Sequence, residues 1–134
     1  MTIKHIKNLR KFILEKNLSL PEDFLSRSNR ELLNEYNGIG AEWMPSRVRR
    51  LITKLFGYME PAALVHDIDF LNPVKSFKNF TVANLRLIYN SAKCGHLFSG
   101  LAAGTICQFF GWSAWKEGKE TMAFYYHYQE EDEK

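Results

Sequence analysis

Two short stretches carry the residues best suited to chemistry: Tyr36-Asn37-Gly38-Ile39-Gly40 and His66-Asp67-Ile68-Asp69-Phe70, with 26 positions from Gly40 to His66. In the first, Gly38 and Gly40 alternate with Asn37 and Ile39, so the chain can turn its carbonyls inward without a Cβ clash. A cation held there needs about six to eight oxygens, waters included. In the second, a base and a carboxylate are neighbours. On a helix they point about 100° apart. His66 shares a face with Ala62, Ala63, Asp69 and Phe70, while Asp67 shares one with Ala63, Leu64 and Leu71. One can hold a metal while the other moves a proton. Calcium-assisted hydrolysis uses that combination: hard oxygen ligands from carbonyls and Asp67, and a histidine that deprotonates a water. The plainer readings are turn glycines, a hydrogen-bonded core histidine and a surface aspartate.

The elements that must position these groups read as helices. Ile3, Ile6, Leu9, Phe12 and Ile13 recur at helical spacing over 3–16, with Lys4, Lys7 and Lys11 on another face. Such a helix either packs on the body or anchors at an interface, and packing is the commoner use. Pro21 is expected to open a short helix after Leu18-Ser19-Leu20. Ser28 with Glu31 forms a capping-box pattern for a helix running to about Tyr36, which Asn37-Gly38 breaks. Pro45 restarts a helix through about Phe56, whose Arg47, Arg49, Arg50 and Lys54 make a basic face suited to an anionic surface. Pro61 opens another through Leu71, closed by Asn72-Pro73. Thr81 reads as the N-cap of a helix over 82–93, and Gly95 separates it from a helix near 97–110. There is no run of strand-like alternation and no internal repeat. The expected fold is all-α, with loops at 37–45 and 72–80.

The totals bound the rest. A chain of 134 residues suits one domain, here 1–128, followed by an acidic tail at 129–134 that is expected to be disordered. Net charge is +3, but Glu130, Glu131, Asp132 and Glu133 hold four of the fifteen acids. Without residues 129–134 the chain has 17 basic and 11 acidic side chains. A basic body suits an anionic partner, although charge runs also serve solubility. No nucleic-acid-binding module is visible, so sequence-specific binding to nucleic acid is not expected. Cys94 and Cys107 match no disulfide framework and no zinc spacing, and reduced thiols fit a cytosolic setting. Lysines and Arg10 interrupt the first apolar positions, unlike a signal peptide, so a cytoplasmic or leaderless released protein is expected. From Cys94 to Trp115 there is no Asp, Glu, Lys or Arg. His96, Gln108 and four glycines weaken this segment as a membrane span, and a buried core helix is the expectation. Gly100 and Gly104 form a small-xxx-small pair suited to close helix packing.

Tyr-x-Gly-x-Gly followed by a helix bearing His-Asp-x-x-aromatic resembles the phospholipase A2 fold, in particular its reduced, disulfide-poor microbial and viral versions. The matching residues are Tyr36, Gly38, Gly40, His66, Asp67 and Phe70. The stretch Thr81-Val82-Ala83-Asn84-Leu85-Arg86-Leu87 sits where that family has its second helix. The resemblance spans about 36–92, with a looser likeness at Gly111-Trp112-Ser113-Ala114-Trp115. It implies an antiparallel helix pair with additional N- and C-terminal helices. It also implies calcium held by the carbonyls of Tyr36, Gly38 and Gly40 with the Asp67 carboxylate. His66 would activate water for attack on the sn-2 ester of a phospholipid, with calcium and a loop amide stabilising the oxyanion. Two positions depart from the pattern. Asn84 stands where the family has an aspartate, and Phe70 where it usually has a tyrosine. Asn84 can still accept from the imidazole and fix its tautomer, but it brings no negative charge. Asp69, three residues from His66, is a further candidate for support.

Three functions follow as expectations. One is a calcium-dependent phospholipid esterase, weakened by Asn84. The second is a catalytically silent descendant acting as a binding module, such as a toxin, phage or mobile-element component. The third is a membrane-associated helical protein built on residues 94–115.

Overall fold

The computed structural model of the chain describes residues 2–36, 47 and 59–117. Every regular element among the described residues is helical. Helix α1 covers Ile3–Glu15, α2 Asn29–Glu35, α3 Glu60–Asp69, α4 Phe77–Lys93, α5 Leu97–Phe110 and α6 Trp112–Glu117. The expectations for Gly38, Gly40, Arg49, Arg50, Lys54 and the acidic tail lie outside the described residues. Arg47 is helical and exposed.

α1 buries Ile6, Leu9 and Ile13 and leaves Lys4, Lys7 and Lys11 in water, so it packs on the body. Thr2 caps its start by accepting from the His5 N–H. Its end turns at Asn17, whose φ of 52° places it in the left-handed region. Leu18 N–H then reaches back to the Ile13 carbonyl at 3.2 Å, and Leu18 itself is buried. That is the Schellman arrangement, with asparagine in the position glycine usually takes.

The short helix expected after Pro21 is instead a run of turns held by i→i+3 bonds, Phe24 N–H to Pro21 and Arg27 N–H to Phe24. Phe24 is the anchor, fully buried, and Arg10 clamps the outside by donating to the carbonyls of Leu25 and Arg27. Long-range contacts of this kind replace helical bonds that the segment does not make. The capping box opening α2 forms in full: Ser28 Oγ accepts from Glu31 N–H, and Glu31 accepts from Ser28 N–H.

α3 begins with Pro61 in its first turn and ends two residues before the expected Leu71. Asn72 Oδ1 accepts from Val74 N–H at 2.9 Å and turns the chain around Pro73. α4 starts earlier than Thr81 suggests. Its N-cap is Ser76, whose hydroxyl accepts from Asn79 N–H, so the loop expected over 72–80 stops at Ser76 and Thr81 lies inside the helix. The reason is packing: Phe80 is fully buried, and Phe77 stacks against Trp112, which holds this turn on the body. Gly95, at φ 84°, ends α4 and lets His96 N–H bond back to Ser91.

Two apolar clusters result. One joins α1, α2 and α3 through Ile6, Ile13, Phe24, Leu32, Tyr36 and Leu64. The other joins Phe70, Phe80, Ala83 and Trp115. α4 packs on α3 along one side and on α5 along another.

α5 corrects the expectation of a buried core helix. Only Gly100 and Gly104 are buried, while Phe98, Phe109 and Phe110 are 84%, 76% and 75% exposed. The glycines act as the small-xxx-small pattern predicts. A Cβ on Gly100 would sit 2.5 Å from Ser91 Cβ, and one on Gly104 would sit 2.5 Å from Ile88 Cγ1. α5 therefore lies against α4 through its glycine edge and turns its larger side chains outward. Among the described residues no helix is long and apolar enough to cross a membrane. The 14 residues of α5 span only about 21 Å against a hydrocarbon core of about 30 Å.

A candidate histidine site at the contact of three helices

His66 lies in the last turn of α3, buried, with its ring 4.6 Å from that of Phe70. Its Nε2 stands 2.8 Å from Asn84 Oδ1 on α4. The carbonyl oxygen of Asn84 only accepts, so Nε2 donates and Nδ1 keeps its lone pair. Burial pushes the His66 pKa down to about 4, with the Asn84 bond pulling it partly back up. The ring is neutral at pH 7, with its lone pair on Nδ1.

Asn84 is itself almost completely buried and is satisfied at both ends. Its Nδ2 donates to Gln108 Oε1 on α5 at 2.7 Å, and Gln108 Nε2 donates to Thr81 Oγ1 at 3.0 Å. A polar line therefore runs from His66 through Asn84 and Gln108 to Thr81, crossing α3, α4 and α5. Gln108 and Thr81 are the residues that sequence reasoning missed. Nothing in the sequence around Gln108 marks it, because its partners lie 24 and 27 positions away on another helix.

The line gives the two departures a shared physical account. A carboxylate at position 84 would accept from both sides, and a tyrosine hydroxyl at position 70 could donate to it. An amide brings its own N–H₂, which needs an acceptor. Gln108 supplies that acceptor, and Phe70 fills the neighbouring space with carbon. Phe70 packs edge-on to Trp115 at 5.1 Å and beside Phe80 at 6.2 Å, which fixes the wall of the imidazole pocket.

Asp69 does not support His66. Its Oδ1 accepts from Arg86, while its Oδ2 is buried without a hydrogen-bond partner. Burial lifts the Asp69 carboxyl to about 6, against the pull of the Arg86 guanidinium. Asp67, one position from His66, points to a different sector and is half-buried. Burial, with the Asp67 charge adding to it, raises the Cys107 thiol to about 11, so that thiol stays protonated at neutral pH. Both cysteines are free.

One carboxylate with main-chain carbonyls is the donor set a hard cation takes. Among the described residues no three His, Cys, Asp or Glu side chains converge on one point. Calcium would therefore depend on Asp67 and on carbonyls from the 36–40 stretch, of which Tyr36 is described. Tyr36 caps the end of α2 and is buried in the same cluster as Leu64, Val65 and Ile68.

No family model, curated protein or solved structure matches this chain.

Proposed function

We propose that this protein is a calcium-dependent phospholipid sn-2 ester hydrolase of phospholipase A2-like type, weakened by the amide at position 84. The supporting observation is the buried 2.8 Å contact between His66 Nε2 and Asn84 Oδ1. It leaves Nδ1 as the basic nitrogen on a ring that is neutral at pH 7.

In this reading His66 Nδ1 takes a proton from a water whose oxygen attacks the sn-2 carbonyl. The resulting oxyanion collapses, the bond to the glycerol oxygen breaks, and the proton held on His66 passes to that oxygen. The products are a fatty acid and a lysophospholipid. Calcium, held by Asp67 with the carbonyls of Tyr36, Gly38 and Gly40, would supply Lewis-acid stabilisation of the oxyanion. Asn84 orients the imidazole. It lends no charge to the imidazolium that forms, and the low pKa of His66 makes that cation costlier still. Arg47, Arg49, Arg50 and Lys54 would face the anionic lipid surface. The test is release of fatty acid from mixed-chain phospholipid vesicles with calcium, compared with the same protein in chelator and with His66→Gln. Release that needs both calcium and His66 is expected. Release by neither protein contradicts the reading.

A second reading, a catalytically silent binding module, is favoured by one observation: the partner of the imidazole is neutral. Asn84→Asp separates the two. The Gln108 amide can turn to donate to the new carboxylate, with Thr81 then donating to Gln108. Loss of a comparable carboxylate in a serine protease costs about 10⁴ in kcat, so a gain on the order of 10² to 10⁴ is expected from restoring it. Absence of hydrolysis in both forms favours the binding module.

A further inference from the structure

We propose that Gln108 is a positioning residue, which decides the nitrogen of His66 left free to take a proton by holding Asn84 with its carbonyl toward the ring. The proposal rests on the hydrolase reading only for its catalytic consequence.

An amide beside an imidazole can present either end. With the carbonyl inward, the ring carries its hydrogen on Nε2 and its lone pair on Nδ1. With the N–H₂ inward, the ring must accept at Nε2 and carry its hydrogen on Nδ1, which leaves no base on the far side. Asn84 is 2% exposed, so its partner at the other end makes the choice. That partner is Gln108 Oε1, an acceptor at 2.7 Å from Asn84 Nδ2. The far end of Gln108 is satisfied by Thr81, whose Oγ1 accepts from the Gln108 N–H₂ at 3.0 Å. Donation thus runs one way along the line, from the imidazole N–H through Asn84 and Gln108 to the Thr81 hydroxyl.

The glycine edge of α5 makes this reach possible. Gln108 lies one turn beyond Gly104, where any Cβ would meet Ile88 and come within 3.2 Å of the Asn84 main-chain carbonyl. That close approach brings the Gln108 side chain within hydrogen-bond distance of Asn84. The same three polar residues line a cleft of about 250 Å³ between α4 and α5, whose other walls include Leu85, Ile88 and Phe109. Truncation to alanine would let water in to replace the lost acceptor. Leucine fills the space without offering one.

The test reads the tautomer directly. The full chain is labelled with ¹⁵N-histidine and kept at pH 7.5 in chelator, and a long-range ¹H–¹⁵N spectrum is recorded. The His66 signals are assigned by their loss in His66→Gln. The wild type is expected to show one tautomer, with hydrogen on Nε2. Gln108→Leu is expected to shift it to a mixture or to the Nδ1–H form. Gln108→Glu, which offers only acceptors, is expected to keep Nε2–H, and Thr81→Val to give a partial shift in the direction of the leucine variant. A folded Gln108→Leu protein that stays wholly Nε2–H overturns the proposal, as does a Gln108→Glu protein in the Nδ1–H form. If the leucine variant fails to fold, Gln108→Glu and Thr81→Val decide, and an unshifted Thr81→Val spectrum counts against it. Where hydrolysis is measurable, Gln108→Leu lowers kcat about tenfold or more with KM unchanged, and Gln108→Glu restores it. A wild type that shows the stated tautomer pattern but releases no fatty acid defeats the hydrolase reading and leaves this assignment standing.

Discussion

At the residue scale, the site is an imidazole buried at a cost. His66 has a pKa near 4 in the fold against 6.5 ordinarily, because desolvation outweighs its bond to Asn84. In the unfolded chain it takes a proton as pH falls through 6.5, whereas in the fold it resists until about 4. The unfolded state therefore binds more protons in that window, and the contribution of His66 to stability is lost as pH falls through it. The full loss is about 3 kcal/mol at most. Asp69 works the other way, since its carboxyl is raised to about 6 and protonates in the fold first. The difference between wild type and His66→Gln cancels Asp69 and isolates the imidazole. Urea unfolding of both from pH 7.5 to 4 is expected to show the wild type losing ground to the variant on acidification. A constant gap contradicts the assignment. The His66–Asn84 pairing was legible in the sequence because a histidine followed 18 positions later by a polar residue fitted a known arrangement. Gln108 was not, because nothing local distinguishes a glutamine that completes a buried line from one that faces water.

At the element scale, chain signals worked where they were local and failed where packing decided. Ser28 with Glu31 opened α2 as a capping box, and Gly95 ended α4, since both motifs satisfy backbone groups within a few residues. Thr81 was misread as a cap because Ser76 already held that role and Phe80 needed to be buried within the helix. The uncharged stretch from Cys94 to Trp115 was expected to be core, yet α5 buries only its glycines. Composition says how apolar a helix is, but here the side that packs is the one with no side chain. Gly100→Ala tests that edge. Its new Cβ meets Ser91 Cβ at 2.5 Å, which belongs to the stem of a side chain and cannot swing away. Overpacking costs about 1–3 kcal/mol, against a gain in helix propensity of about 1 kcal/mol. A net loss of stability is expected, read as a lower urea midpoint with the slope unchanged, and an unchanged or higher midpoint contradicts the close packing.

At the scale of the whole molecule, two apolar clusters are tied together by polar links that run over α4. Asn90 is fully buried and bonds both main-chain groups of Ser19, accepting from its N–H at 2.8 Å and donating to its carbonyl at 2.9 Å. Arg86 reaches Ser19 Oγ and Asp69 from the same helix. The segment after α1 is thereby fastened to α4, which also carries Asn84. Such ties join residues 71 positions apart, which is why the sequence revealed the helices but not their arrangement. Asn90→Ala removes both bonds and strands two partly buried backbone groups, so a loss of about 2 kcal/mol is expected by chemical denaturation. A near-neutral result contradicts the role given to this link.

In the proposed reaction His66 activates a water against the sn-2 carbonyl. Hydrolysis of mixed-chain phospholipid vesicles in ¹⁸O-water with calcium, read by mass spectrometry, tests it most directly. The expected result is ¹⁸O in the fatty acid from the sn-2 position, none in the lysophospholipid, and loss of both products in chelator and in His66→Gln. No fatty acid from the wild type, or the same yield from His66→Gln, contradicts the account.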